Sequence, residues 1–469
     1  MKRIAIIGGG ISGLSAAFRL EHRRRQGAQF EFALFESGPH FGGVIRTKRV
    51  DDCLIEAGPD SFLTEKAWAA DLCRELGLGD QLIGSNDADR KTYILVNGRL
   101  VPLPDGLMFM VPTNLWATVS SPLFSWTTKL QMVREWLHKA SASADDVSVA
   151  EFVSRHYGRE MVDRVADPLL AGVYGGSADE LSVRSVLPRF VEMEAKHGSL
   201  GKAMTESKAR QGGPAKPLFT SLRNCMQQMT DALVSRIPES ARRVNTAVEA
   251  VKPESGKWLV ISKGRTEEFD AVVVATPADV AGKLLAGVNP KLAEDLTSIP
   301  YSSSVTVTLV YDERVRAGLP PGFGFLVPRT EKVRLIAATF VHNKFPNRAP
   351  QNKALLRCFL GGTRDGSILQ ASEAEIEEAV RRDLGTILGI RAEPAFCRIY
   401  KWHQAMAQYT VGHGARIERI RAQLADMRGL ALAGNAYGGI GIPDCIRSGS
   451  EAATKVVTDL RISAPDQRG

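Results

Sequence analysis

Three glycines near the amino terminus, Gly8, Gly10 and Gly13, stand in the spacing GxGxxG within KRIAIIGGGISGLSAAFRL. Residues 3–7 ahead of them form a short, β-branched apolar run suited to a buried parallel strand, and residues 12–20 after them have the pattern of an amphipathic helix. In that setting each glycine has its own task. Gly8 allows a tight turn, Gly10 lets backbone approach a pyrophosphate, and Gly13 lets the helix lie close to the strand. The helix start then offers unpaired N–H groups and a positive dipole end to phosphate oxygens. A second apolar run, Phe30–Phe35, ends at Glu36, 23 residues past Gly13. That is close to the separation at which an acid hydrogen-bonds a ribose hydroxyl. An acid there favours a ribose with both hydroxyls free, and so FAD or NAD over NADP.

The residues after Glu36 read SGPHFGGVIRT, with Gly42, Gly43 and Arg46. Adjacent glycines and a guanidinium place backbone amides and a positive charge beside the same pyrophosphate, an extension that a simple NAD dehydrogenase does not need. A matching signal closes the chain. A short strand at 430–433 leads into GNAYGGIGIPDCIRSGSEAATKVV, where Gly434, Gly438, Gly439 and Gly441 keep backbone accessible. Pro443 suits the first turn of a helix, whose positive end would face an anionic group such as a reduced flavin ring.

These motifs need a large α/β framework, and the composition supplies one. The 469 residues are 44% hydrophobic and 24% charged, as in an ordinary globular chain of several domains. Lys and Arg number 60 against 52 Asp and Glu, for a net charge of +8, too small an excess to read as a nucleic-acid footprint. The cysteines at 53, 73, 225, 358, 397 and 445 form no CxxC pair and no local cluster with histidine, so neither a disulfide framework nor a metal site is expected. HExxH and GxSxG are absent. The opening apolar run is too short for a signal-peptide core. Residues 106–128 carry no charged side chain, but Pro112 and Pro122 argue against a spanning helix. That stretch reads as an apolar lining or a surface that touches lipid.

Between the two glycine signals the chain changes character. Residues 68–76, 130–138, 149–155 and 160–166 read as helices, and 198–217 as a Gly- and Lys-rich connector. Residues 244–251 and 257–263 alternate as hairpin strands, and 269–277 form a buried strand. Residues 305–311, 324–328, 335–341 and 355–360 read as an antiparallel sheet, followed by a helix at Glu373–Leu388.

Taken in order, GGGISG, FESGPHFGGVIRT, EAGPDSFL, DPLLAGVYGGSADELS, ATPA, KWHQAMAQY and GNAYGGIGIPDCIRSG resemble the porphyrinogen oxidases of haem biosynthesis, within the FAD-dependent amine oxidase superfamily. The resemblance spans nearly the whole chain, and AGVYGGSADELS and GIGIPDCI are its more specific parts. It implies an α/β fold: a Rossmann-like FAD-binding domain, an antiparallel-sheet substrate domain and a helical domain. The FAD-binding domain would comprise residues 1–62, 221–290 and 411–465. Residues 63–195 would be helical, facing membrane or lining substrate, 196–220 a connector and substrate-domain segment, and 291–410 the substrate domain.

The resemblance also implies the chemistry: oxidation of a porphyrinogen by FAD, six electrons passing to dioxygen with release of peroxide. FAD contacts would fall to Gly8, Gly10, Ile11, Ser12, Gly13, Glu36, Ser37, Gly42, Gly43, Val44, Arg46, Gly58, Pro59, Val248, Trp402, Gly434, Gly441 and Ile442. Gly172, in AGVYGG, would sit beside flavin and substrate; a helix-terminating glycine is the other reading. Lys91 and Arg99 would meet substrate carboxylates. The histidines at 156, 197, 403 and 413 are bases by residue type only.

Two departures stand out. Ala407 replaces the proline of AMPQY. Thr92 stands where animal and plant members carry a propionate-pairing arginine, which favours coproporphyrinogen III over protoporphyrinogen IX. An FAD amine oxidase is the remoter alternative, although Asn435 after Gly434 lacks the acid usual there. No metal and no nucleic acid are expected. Monomer and homodimer both remain open. A cytoplasmic location is expected, with peripheral attachment at the inner membrane face as the alternative.

Overall fold

The computed structural model describes residues 1–140, 145–210 and 216–462. Residues 211–215 of the connector, and 463–465 at the end of the third FAD-binding segment, lie outside the described residues. The centre of the fold is a five-stranded parallel sheet ordered Arg242–Arg243, Phe30–Phe35, Lys2–Ile7, Ala271–Val274 and Leu430–Leu432. Ala271–Val274 is buried throughout, and Lys2–Ile7 and Phe30–Phe35 nearly so, as strands covered on both faces must be. Ile4 and Ile6 face a core shared with helices Ile11–Arg25, Gln227–Arg236 and Ile442–Asp459. Ala5 and Ile7 face the opposite core, with helices Ala278–Leu285, Pro290–Thr297 and His413–Ala425.

A seven-stranded sheet forms the second layer. Its order is Phe396–Ala407, Tyr301–Asp312, Lys353–Gly361, Ala337–Phe340, Gly324–Leu326, Thr92–Val96 and Arg99–Pro102. All neighbours are antiparallel except Gly324–Leu326 with Thr92–Val96. Helix Glu373–Leu388 begins at the residue expected, set by a capping box between Ser372 and Glu375, and covers the outer face.

Residues 92–102 sit within the stretch assigned from sequence to the helical part, yet they complete this sheet. The reason is local. Asn97 and Gly98 take positive φ of 51° and 73°, the turn that an Asn-Gly pair makes between alternating strands. Part of the connector is also ordered structure: Leu200–Arg210 is helical, and Phe219–Leu222 pairs with Phe62–Leu63 and Leu82–Gly84.

The uncharged stretch 106–128 is no spanning helix. It holds a two-stranded hairpin, Leu107–Met108 with Val111–Pro112, and a short helix, Leu115–Ser120, capped by Asn114. No helix among the described residues is long and apolar enough to cross a membrane.

The first and last helices lie side by side, and Gly449 allows it. A Cβ at Gly449 would collide with the Ser12 carbonyl oxygen. We expect Gly449→Ala to lower stability by about 1–3 kcal/mol, the usual cost of overpacking. Denaturant unfolding should show the loss as a lower midpoint.

Candidate functional site

The carboxyl ends of Lys2–Ile7 and Leu430–Leu432 open on one crevice, where helices Ile11–Arg25 and Ile442–Asp459 begin. Both helices lack a side-chain cap: their N-cap residues are Gly10 and Gly441. Their first-turn N–H groups are therefore free for an anionic ligand. Ser12 lies against Gly449, seven residues into the last helix. At 1.5 Å rise per residue the two helix starts are offset by roughly 10 Å. Such a separation suits an extended ligand with a pyrophosphate at one end and a ring at the other.

The glycines divide the work as their spacing suggests. Gly8 has φ +107°, and a Cβ there would lie 2.5 Å from the Ala275 carbonyl oxygen. A Cβ at Gly13 would strike the Gly8 carbonyl, so that glycine is required by packing. Nothing lies within 4 Å of a Cβ at Gly10, which leaves open room where a phosphate would sit. The second glycine pair closes over the first: Gly42 N–H donates to Gly9 O at 2.8 Å, and a Cβ on Gly43 would come 3.2 Å from the Gly10 Cα. Val44 is exposed here, and Arg46 Nε donates to Gly43 O at 3.0 Å. Ile11 and Ser12 open the helix.

Glu36 is held rigidly. One carboxylate oxygen accepts from Gly9 N at 2.9 Å; the other accepts from Gly38 N at 2.6 Å and the Ser37 hydroxyl at 3.3 Å. Lone pairs remain on both oxygens for ribose hydroxyls. Thr246 N–H donates to Glu36 O at 2.8 Å and Asn245 N–H to Gly38 O at 2.8 Å. These bonds bring Val248, at the start of strand Val248–Glu254, to the same end of the crevice.

At the other end, Ala57 O accepts from Trp402 Nε1 at 3.1 Å and from the Thr306 hydroxyl at 3.1 Å. Gly58 and Pro59 are thereby tied to the seven-stranded sheet. The Gly434–Gly441 loop is tied by Tyr409, whose hydroxyl donates to Asn435 O and accepts from Gly439 N, both at 2.7 Å. Gly434 itself has φ +145°. Lys66 Nζ meets both oxygens of buried Asp444 in the first turn of the last helix, at 2.8 and 2.6 Å. Lys66 and Asp444 are 378 residues apart, and nothing in the sequence pairs them. Arg357, beneath Gly58, was equally invisible. Open space at Gly10, two uncapped helix starts and an oriented carboxylate fit a flavin dinucleotide.

Gly172 lies inside helix Asp167–Tyr174, and the helix ends at Gly175, which takes the left-handed conformation with φ 61°. Gly172 is therefore not the terminating residue. It is exposed, and a Cβ there would meet only Leu326 Cδ2 at 3.6 Å. The protein itself leaves that space open.

Lys91 and Arg99 take opposite faces of the sheet: Arg99 pairs with Val96, on the face of Ile94 and Leu326. Lys91 is exposed and in phase with Tyr93 and Leu95, which pack on the outer face of the sheet away from Leu326. Arg99 is exposed beside the Asn97–Gly98 turn at the sheet edge. The histidines are placed elsewhere or occupied. His156 is buried between Glu135 and Glu194, 3.2 Å from each. His413 stacks on Tyr409 at 4.1 Å, and burial, helped by Arg416, pushes its pKa down to about 4. His403 is exposed, and His197 lies 3.9 Å from Glu206.

A parallel sheet with two bare helix starts at its carboxyl edge, joined to a largely antiparallel sheet, marks a dinucleotide-binding protein. The chain belongs to the flavin containing amine oxidoreductase family, whose sequence model matches residues 11–457. Among individual proteins, it is 34% identical over 469 residues to a coproporphyrinogen III oxidase of Bacillus subtilis (strain 168), covering 98% of each chain. It is 30% identical to the mitochondrial protoporphyrinogen oxidase of Nicotiana tabacum, covering 100% of this chain and 97% of that one. A crystal structure from Exiguobacterium sp. 255-15, itself provisionally assigned as a protoporphyrinogen oxidase, superposes with a TM-score of 0.87 at 31% identity, covering 98% of this chain and 99% of that one. A putrescine oxidase variant at 18% identity and TM-score 0.69, covering 97% of this chain and 99% of that one, shares the fold.

Removing the Glu36 carboxylate frees two backbone N–H groups and takes away an acceptor that a ribose hydroxyl would use. Charged hydrogen bonds of this kind contribute about 1.5–3 kcal/mol. Glu36→Ala should therefore weaken FAD affinity roughly 10- to 100-fold, measured by flavin fluorescence on titrating apoprotein. Glu36→Gln should fall in between.

Proposed function

We propose that this chain is an FAD-dependent porphyrinogen oxidase of haem biosynthesis that takes coproporphyrinogen III in preference to protoporphyrinogen IX. Full-length similarity to the named coproporphyrinogen III oxidases carries this reading. The four propionates of coproporphyrinogen III, against two on protoporphyrinogen IX, make the preference a question of carboxylate recognition. Thr92, directly across from Gly324 in the sheet register, takes the place of the arginine of animal and plant members and supports the first substrate.

Bound FAD supplies a two-electron acceptor, and dioxygen removes the electrons as peroxide; three such rounds account for the six electrons. The protein positions. Gly8, Gly10, Gly13, Gly42, Gly43 and Arg46 bind the pyrophosphate, while Glu36, Ser37 and Val248 bind the adenosine. The N–H groups at Gly441 and Ile442 favour negative charge on the ring. Trp402, Gly58, Pro59 and Gly434 shape the ring's surroundings, with Val44, Ile11 and Ser12 completing the cradle. Gly172 leaves room for the flat side of the macrocycle. His156 and His413 are buried and occupied, which suits a reaction carried by cofactor and alignment.

The location we propose is cytoplasmic, with loose attachment to the inner face of the membrane. Trp116, Trp126 and Leu137 are 82%, 77% and 79% exposed, in a region that also shows Phe109, Leu130 and Val133 to solvent. Lys129 lies over the Trp126 ring at 4.7 Å, and Arg134 is close in sequence. Aromatic rings flanked by cations suit the headgroup layer of anionic lipid.

In aerobic fluorescence assays, coproporphyrinogen III should be oxidised faster than protoporphyrinogen IX; the reverse preference would refute the substrate assignment. Gly172→Ala should raise thermal stability by up to about 1 kcal/mol, since alanine is the better helix former. The same variant should lower turnover of either porphyrinogen. Equal turnover would remove Gly172 from the substrate surface. The holoenzyme should sediment with anionic vesicles, and Trp116→Ser with Trp126→Ser should reduce that binding several-fold with activity on soluble substrate retained.

A further inference from the structure

The inner face of the seven-stranded sheet carries a charge with no part in the roles assigned so far. Arg357 stands on strand Lys353–Gly361, 5% exposed and directly across from Thr308. Its Nη2 donates to Gly58 O and, at 3.5 Å, to Ala57 O. Its guanidinium carbon lies 5.0 Å from the centre of the Phe359 ring. Among the described residues Arg357 forms no ion pair.

The nearby acids are already engaged. Asp60 has Lys344 Nζ 3.1 Å from both of its oxygens, and the Lys344 and Arg357 charges hold its carboxyl well below the usual range against the effect of burial. Glu56 accepts from Met226 N at 2.6 Å and from the Thr47 hydroxyl at 2.7 Å, and burial pushes its pKa up, towards the neutral form. Lys344, Arg348 and Arg357 are each no more than 8% exposed, and they outnumber the two acids. Arg348 spends its donors on Ser221, Leu222 and Arg223. Around Arg357, its own Nε, the Thr308 hydroxyl and the Tyr400 hydroxyl are buried without a partner among the described residues.

A buried guanidinium that shares its nearest ionised acid with a second cation is only partly compensated, and an electron-rich group beside it would complete the balance. The turn it supports, Ala57–Pro59, is the one assigned to the flavin. We propose that Arg357 is a positioning residue for the cofactor: it fixes the Ala57 and Gly58 carbonyls and places a buried positive charge that favours the reduced, anionic flavin over the oxidised one. Arg357 makes and breaks no bond. Two electrons and a proton reach the flavin from the substrate as before, and the negative charge then added is stabilised.

The inference rests on the FAD assignment and on Gly58 and Pro59 as contacts, not on the identity of the substrate, so its test uses no porphyrinogen. The midpoint potential of the bound flavin is measured by dye-equilibrated reductive titration of the holoenzyme, alongside flavin affinity and thermal midpoint. Arg357→Gln and Arg357→Met should weaken binding of reduced relative to oxidised flavin at least tenfold, which lowers a two-electron potential by about 30 mV. Arg357→Lys, keeping the charge, should recover most of that shift. Asp60→Asn, removing a negative charge, should shift the potential the other way. If the Gln and Met variants lose flavin, the Lys and Asp60→Asn variants decide. Potentials equal to the parent's in all retained variants, with only affinity or thermal midpoint altered, would overturn the inference and leave Arg357 a structural residue.

Discussion

One backbone carbonyl joins the two sheets of this molecule. Ala57 O takes hydrogen bonds from the Thr306 hydroxyl, Trp402 Nε1 and, at longer range, Arg357. The three donors come from three neighbouring strands of the antiparallel sheet, and the acceptor comes from a turn of the nucleotide-binding part. A carbonyl has only two lone-pair directions, so three donors can converge on it in few arrangements. The joint therefore fixes where the antiparallel sheet stands over the crevice. It also fixes Gly58 and Pro59, which immediately follow.

That joint explains why the chain visits the parallel sheet several times. Lys2–Ile7 and Phe30–Phe35 come first, and Arg242–Arg243, Ala271–Val274 and Leu430–Leu432 arrive only after long excursions. Each excursion returns to a strand edge that needs a partner, because a parallel strand cannot be closed by a short hairpin. The last return brings the helix Ile442–Asp459 beside Ile11–Arg25, at a distance that only Gly449 permits. Two uncapped helix starts at one sheet edge are thus a consequence of topology, reached from opposite ends of the sequence.

Much of this was legible beforehand, for local reasons. Phe30–Phe35 and Glu373–Leu388 begin and end where their apolar runs and caps place them, and the glycine spacing at 8, 10 and 13 does what its geometry requires. The hairpin at 92–102 was also written in the chain, in Asn97–Gly98, but it was hidden inside a stretch read as helical. Other parts had no local signal at all. Lys66 meets Asp444 across 378 residues, and Arg357 reaches Gly58 across 299. Long-range contacts of this kind depend on the packed fold, which no window of sequence contains. Lys91 and Arg99 show the same limit: composition marks them as cations near the sheet, while strand phase decides which face each one takes.

Two of the buried histidines are closed to acid–base work by their surroundings. A side-chain base must be solvated enough to exchange its proton and close enough to touch the substrate. His156 is enclosed by two carboxylates, His413 is buried against Tyr409 and held neutral, and the exposed His403 has no fixed partner. What the site offers instead is fixed polarity: backbone N–H groups at two helix starts, a loop tied down by Tyr409, and a lysine that neutralises Asp444. Preorganised dipoles of this sort need no reorganisation as charge moves onto a ligand, and so contribute most when charge develops on the ring system they face. The glycine at 172 fits the same logic. A helix interior loses up to about 1 kcal/mol by carrying glycine instead of alanine. The space beside it is open, and the proposed ligand lying flat against the backbone would offset that loss.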